Sequence, residues 1–303
     1  MTAWALVAVG VAAPAMRRHM RLPAAAVLAP AGLAPLALCV AIRRSRARDV
    51  AVCALNMWAY VAAYEMPHDD PRRLASKAHV EYPIRADRLL GLGTTPTLRL
   101  QRAFSVPGSV NRFERALVWC HWLWFLVPHG SVAYVLIRRQ DLFPSAAARM
   151  YAVFDLGAVF YWSIPTAPPW WAAASGRLED GETVRVRRMM IEYGEQFWGD
   201  LWTPLYDFLG GNPLAAMPSL HFATSLMGAH LLSEVGPVAG TVGWTYAVTL
   251  GVALVYLGEH YLVDLLAGAA LTEAIRVAAP RLGPGARRVA ALVDRLEAQA
   301  ARS

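Results

Sequence analysis

Apolar runs of near-bilayer length recur along this chain, separated by arginine-bearing loops, and they leave few folds open. Eight runs can be marked, near residues 2–16, 22–42, 50–64, 116–137, 150–167, 215–235, 237–257 and 260–279. Several reach the roughly 20 residues a helix needs to cross hydrocarbon; the first and third are shorter. Backbone polar groups in lipid must be bonded internally, and runs of this length achieve that as helices. Composition agrees: 56% of residues are hydrophobic and only 17% charged, less charge than a soluble domain normally carries. Eleven Trp and eleven Tyr supply rings that favour the bilayer interface. The expected fold class is all-α, a polytopic membrane helix bundle.

Three regions are expected: N-terminal membrane segments over 1–49, a membrane core over 50–280, and a basic cytoplasmic tail over 281–303. The tail, with Arg287, Arg288 and Arg295 among Val289, Leu292 and Leu296, reads as a basic amphipathic helix on the membrane surface. Polar stretches at about 65–115 and 168–214 mix aromatics with charge, as interfacial helices and loops do. The first run has no basic residue before it and contains Pro14, unlike a secretory signal.

The net charge of +7 does not indicate a nucleic-acid partner. Of the 29 basic residues all but Lys77 are Arg, and many flank apolar runs, where they set topology. Arg43, Arg44, Arg46 and Arg48, then Arg138, Arg139 and Arg149, then the tail all fall on one side, read as cytoplasmic. Arg17, Arg18 and Arg21 conflict with that assignment. Cys39, Cys53 and Cys120 lie in apolar runs without metal or redox spacing. They read as small buried hydrophobes.

Two strings begin apolar runs at the same predicted boundary: Met217-Pro218-Ser219-Leu220-His221 and Glu259-His260-Tyr261-Leu262-Val263-Asp264. His260 and Asp264 are four apart at a helix start, hence on one face. A carboxylate there can accept the Nδ1–H of the imidazole and leave Nε2 free to attack or to take a proton. Pro218 suits a first helical turn, and Ser219 with the N–H groups of that turn would face an anion. His221 would then protonate a leaving oxygen. The turn Pro165-Thr166-Ala167-Pro168-Pro169-Trp170-Trp171 falls on the same outer side. Asp155, inside the fifth run, is expected to be a buried carboxylate with a polar partner. His230 is expected to lie too deep to react.

Together these strings resemble the signature motifs of the type 2 phosphatidic acid phosphatase superfamily, in its branch of fungal inositol phosphorylceramide synthase and bacterial relatives. The resembling stretches are Ala215 to His221, His260 to Gly268, and Pro165 to Trp171. The resemblance implies a six-helix core over residues 50–280 with one or two extra N-terminal segments. It implies His260 as nucleophile through a phosphohistidine, Asp264 as its orienting group, and His221 as acid and base. Ser219 would bind phosphoryl oxygens, and no metal or other cofactor would be needed. The superfamily's phosphatases carry Arg six residues before the nucleophile, where this chain has Leu254. They also carry a Lys…Arg-Pro motif where it has Pro168-Pro169-Trp170-Trp171. These departures favour a phosphotransferase moving a phosphoinositol-type head group from a membrane phospholipid to a lipid alcohol. The alternatives are a lipid phosphate phosphatase using water, or a transporter or scaffold with a structural His–Asp pair. Arg187 and Arg188 are candidate phosphate clamps, ahead of Lys77 and Arg85. Trp170 and His121 are candidate substrate-binding residues. The arginine-set topology puts these strings at the outer ends of their segments, so the site is expected on the extracytoplasmic face of the cell membrane.

Overall fold

The computed structural model describes residues 3–106, 108–178, 186–209 and 211–300. Part of the second polar stretch, 179–185 with Glu179, Asp180, Glu182 and Arg185, therefore lies outside the described residues. Among the described residues fifteen α-helices account for the architecture, and extended chain occurs only as isolated bridges. In order they are α1 (Ala3–Met20), α2 (Ala24–Ala41), α3 (Arg46–Glu65), α4 (Pro71–Lys77), α5 (Glu81–Leu90), α6 (Pro96–Phe104), α7 (Arg112–Trp122) and α8 (Val127–Arg138). They continue with α9 (Phe143–Ser163), α10 (Pro169–Ala174), α11 (Met189–Trp198), α12 (Trp202–Leu209), α13 (Leu220–Val235), α14 (Pro237–Tyr256) and α15 (Leu262–Ala300). The protein is an all-α membrane helix bundle, and each apolar run coincides with helix.

Local chemistry explains the helix starts. Ser45 caps α3 by accepting from Arg48 N–H, Asp70 caps α4 through Arg73 N–H, and Asn111 and Glu114 form a reciprocal capping box on α7. Proline occupies the first turn of α4, α6, α8, α9, α10 and α14, where its missing N–H costs nothing. By length and composition α2 and α14 can cross a membrane. The run at 116–137 is not one straight helix: α7, extended to Phe125, meets α8 at 55°. Pro128 at the start of α8 lacks the N–H that a continuous helix would use there. Exposed Val238, Val242, Val248 and Val252 give α14 an apolar face suited to hydrocarbon.

The helices fall into two compact units. One comprises Asp70–Ala274; the other comprises Met1–Asp69 with Ile275–Ser303. In the latter, α2 packs between α1 and α3. Arg17 there bonds to Glu65 and Asp69, and Arg18 to Asp69, so two of the three arginines that conflicted with the charge rule are neutralised locally. α15 passes through Pro280 and Pro284 without ending, so the boundary drawn at 280 is not a helix end. In the Asp70–Ala274 unit, α13 packs against α8, α9 and α14, and its first turn is where the signature strings meet.

Candidate active site

Extended chain brings the scattered strings together. His79 N–H donates to Pro165 O at 2.8 Å, and Ala167 N–H donates to His79 O at 3.0 Å. Thr166 N–H donates to Leu214 O at 2.8 Å, and Ala216 N–H donates to Thr166 O at 3.1 Å. Two parallel bridges thus tie Thr166, just before the Pro-Pro-Trp-Trp turn, to His79 ahead of α5 and to Ala215 in the segment entering α13. Trp170 N–H then donates to Gly258 O, joining that turn to the loop before α15. Gly258 has φ +78°, and a Cβ there would lie 2.4 Å from Val186 Cγ1, so only glycine fits.

The starts of α13 and α15 are bonded to each other. Ser219 caps α13 by accepting from Phe222 N–H, and its own N–H donates to Asp264 O at 3.0 Å. Ser219 is fully buried, so its side chain serves the helix start. Gly268 sits against the Ser219 carbonyl, so closely that a Cβ would be 2.6 Å from that oxygen.

Three histidines converge beside this junction. His221 Nδ1 lies 3.1 Å from His260 Nε2. His260 Nδ1 faces Asp264 Oδ2 at 3.4 Å, and Asp264 Oδ2 also accepts from Tyr261 N–H at 2.9 Å. His260 is 4% exposed and Asp264 fully buried. One proton arrangement suits the row: His260 holds its proton on Nδ1 toward Asp264, in a contact longer than a formed hydrogen bond, leaving an Nε2 lone pair that accepts from His221 Nδ1–H. The His121 ring lies 4.9 Å from that of His221, and its Nδ1 is buried without a hydrogen-bond partner. Trp124 closes the other side of His221 at 4.2 Å and donates its indole N–H to Thr224 Oγ1.

The two arginines separate into different roles. Arg187 donates to Glu192, Glu114, Ser105 Oγ, Val106 O and Ser109 O. Its guanidinium is spent on the protein, and the Glu192 hydrogen bonds hold its pKa above the usual value. Arg188 stacks over Trp170 with its guanidinium carbon 4.0 Å from the ring centre, and donates to Tyr206 Oη at 2.8 Å. Its Nη2 is 3.8 Å from Glu259 Oε1, and its buried Nε has no hydrogen-bond partner. Arg188, Trp170 and Glu259, next to His260 in sequence, thus form one group. Burial raises the Glu259 carboxyl above the usual carboxylate range, against the opposing pull of Arg188 and His260.

Other residues fall away from the cluster. Leu254 is fully buried in an apolar cluster with Cys120, Leu250, Val255 and Leu265. Lys77 and Arg85 are exposed. Asp155 is on an exposed face of α9, not buried as expected, because the inward face of that helix is filled by Val153, Phe154, Gly157 and Ala158. His230 pairs with Glu273 at 2.7 Å, two and a half turns along α13 from His221. No group of three or more His, Cys, Asp or Glu among the described residues is arranged to hold a metal ion.

Sequence reasoning missed Asp87. This carboxylate of α5 accepts from Val263 N–H at 2.8 Å and Leu262 N–H at 3.1 Å, at the start of α15. Burial pushes its pKa up to about 6. Nothing in Arg85-Ala86-Asp87-Arg88 separates it from an ordinary surface acid.

A family model described as PAP2 superfamily matches residues 82–278. A curated relative, inositol phosphorylceramide synthase of Candida albicans, is 30% identical over 159 residues, covering 50% of this chain and 33% of the relative. The chain therefore spans about a third of that relative's length. No solved structure matches the chain significantly.

Proposed function

Because the chain belongs to the PAP2 superfamily and is a membrane protein of a kind that processes lipid phosphoesters, we propose that it is a phosphotransferase working through a covalent phosphohistidine. It moves a phosphoryl-linked head group, of phosphoinositol type, from a membrane phospholipid to a lipid alcohol. The observation that carries this reading is the row His221, His260, Asp264, in which one ring nitrogen faces a carboxylate and the other faces a second imidazole.

In the first step the His260 Nε2 lone pair attacks phosphorus. The bond from phosphorus to the diacylglycerol oxygen breaks, and that oxygen takes a proton from His221, which enters the step as the imidazolium and leaves it as neutral imidazole. Asp264 offsets the positive charge growing on His260. The phosphoryl group has to enter between Nε2 and His221, which stand 3.1 Å apart, so one imidazole rotates as substrate binds. In the second step a lipid hydroxyl attacks phosphorus, His221 takes its proton, and the phosphorus–nitrogen bond breaks.

Charge on the phosphoryl oxygens requires preorganised donors. Arg188 supplies them, since its guanidinium is held in place by Trp170 and Tyr206 and its Nε has no hydrogen-bond partner. Arg187 braces α7 and α11 instead. His121 packs its buried ring beside that of His221. The site faces the extracytoplasmic side of the cell membrane, where a two-tailed lipid reaches it laterally.

Water in the second step would make the same site a hydrolase. Purified protein given phosphatidylinositol labelled in its head group, with and without a lipid alcohol, separates the two. Label appearing on the alcohol supports transfer; release of labelled phosphorylated head group at the same rate regardless of alcohol would replace it with hydrolysis.

A further inference from the structure

We propose that Asp87 is a positioning residue of this reaction: from α5 it clamps the first turn of α15 and so fixes where His260 and Asp264 stand. The proposal rests on the histidine reading above. The first N–H groups of a helix have no partner within it. Here Tyr261 N–H is taken by Asp264 itself, from inside the helix. The next two, Leu262 and Val263, are both taken by Asp87, from a helix 175 residues earlier in the chain. Two carboxylates therefore divide one helix start between them.

The arrangement is bidentate and dry. Asp87 is 0% exposed, and each of its oxygens accepts one backbone N–H. A negative charge at a helix N-terminus is favoured by the dipole and by the converging N–H groups. That end of α15 would otherwise attract an anion, and Asp87 occupies it, so phosphate charge is directed toward Arg188. The neighbours of Asp87 are tied to the same place. Ile84, one turn earlier on α5, shares an apolar cluster with Tyr261, against which Val263 packs. Asp87 O accepts Gly91 N–H, ending α5 beside the clamp.

His260 stands two residues before Leu262, and Asp264 one residue after Val263. A slip of the clamped turn therefore moves both ends of the His260–Asp264 contact, which is already 3.4 Å long. Displacements of about 1 Å in a reacting group cost on the order of 10²-fold in rate.

The test compares Asp87→Asn, Asp87→Ala and His260→Ala in the full-length protein reconstituted in lipid, with kcat and KM measured well below the melting temperature. Asp87→Asn keeps the volume and one acceptor oxygen but turns an N–H donor toward a second N–H. We expect kcat to fall about tenfold in Asp87→Asn and about 10²-fold in Asp87→Ala, with KM within about twofold, because the lipid contacts are elsewhere. Hydrogen exchange at residues 261–265 should quicken in both. A cap that only stabilised the fold would lower the melting temperature and leave kcat of the folded protein unchanged, and that result overturns the proposal. Failure of both Asp87 variants to fold also overturns it, by making Asp87 a residue of the fold. If His260→Ala keeps the wild-type rate, the histidine reading itself is wrong; if His260→Ala is inactive and Asp87→Asn is not impaired, only the role of Asp87 is wrong.

Discussion

Replacing Gly268 with alanine should separate the two helix starts that form the site. The added Cβ would stand 2.6 Å from the Ser219 carbonyl oxygen, against 3.4 Å for ordinary contact, a shortfall of 0.8 Å (3.4 − 2.6). The oxygen is backbone and the position of a Cβ is fixed by its own backbone, so no side-chain rotation relieves the clash. The Cβ would also touch Ala223 Cβ at 3.4 Å, so sliding along α13 gives little. Overpacking of this kind costs about 1–3 kcal/mol in stability. The displaced carbonyl follows Ser219, whose N–H is bonded to Asp264 O and which precedes His221 by two residues. A shift near 0.8 Å between His221 and His260 should cost roughly 10²-fold in kcat. The assay is steady-state transfer of labelled head group in lipid vesicles, with thermal unfolding on the same samples. A folded Gly268→Ala protein with the wild-type kcat would refute the claim that this close approach sets the geometry of the site.

Arg188→Ala should lower kcat/KM by about 10²–10³ with a small change in melting temperature. Arg187→Ala should do the reverse, costing about 3–5 kcal/mol because fully buried Glu114 loses its guanidinium; equal catalytic losses in the two variants, compared by kinetics and thermal unfolding, would contradict the division of roles. Glu259 provides the pH prediction. Its folded pKa is raised by burial, so the folded state holds its proton to higher pH than the unfolded state, and stability falls as pH rises through that window. Glu259→Gln should remove that fall, so melting temperatures measured from about pH 4 to pH 7 should decline less with pH in the variant; parallel curves would rule it out.

The fold class was legible because bilayer-length apolar runs have few alternatives, and His221, His260 and Asp264 stood out as candidates because their strings begin such runs; the structure brings the three together. The 55° break between α7 and α8 was hidden, since Pro128 looks the same at a helix start as in a kinked span. Asp155 was read from hydropathy alone, which ignores the face of α9 it occupies. Arg187 and Arg188 are adjacent and chemically alike, and only their neighbours from α6, α7, α10 and α12 distinguish a brace from a free donor. Asp87 was illegible for the same reason: its partners are backbone N–H groups, which every residue but proline carries. The bridges linking residues 79, 166 and 215 likewise use only backbone, so no side-chain pattern announces them.

On the proposed mechanism His260 becomes covalently bonded to phosphorus during turnover. Protein quenched during turnover of a phospholipid labelled at phosphorus, digested and mapped by mass spectrometry, tests it directly. An acid-labile, base-stable adduct is expected on the peptide containing His260, present in the wild type and absent from His260→Ala together with transfer activity. An adduct on another residue, or wild-type turnover in His260→Ala, would contradict it.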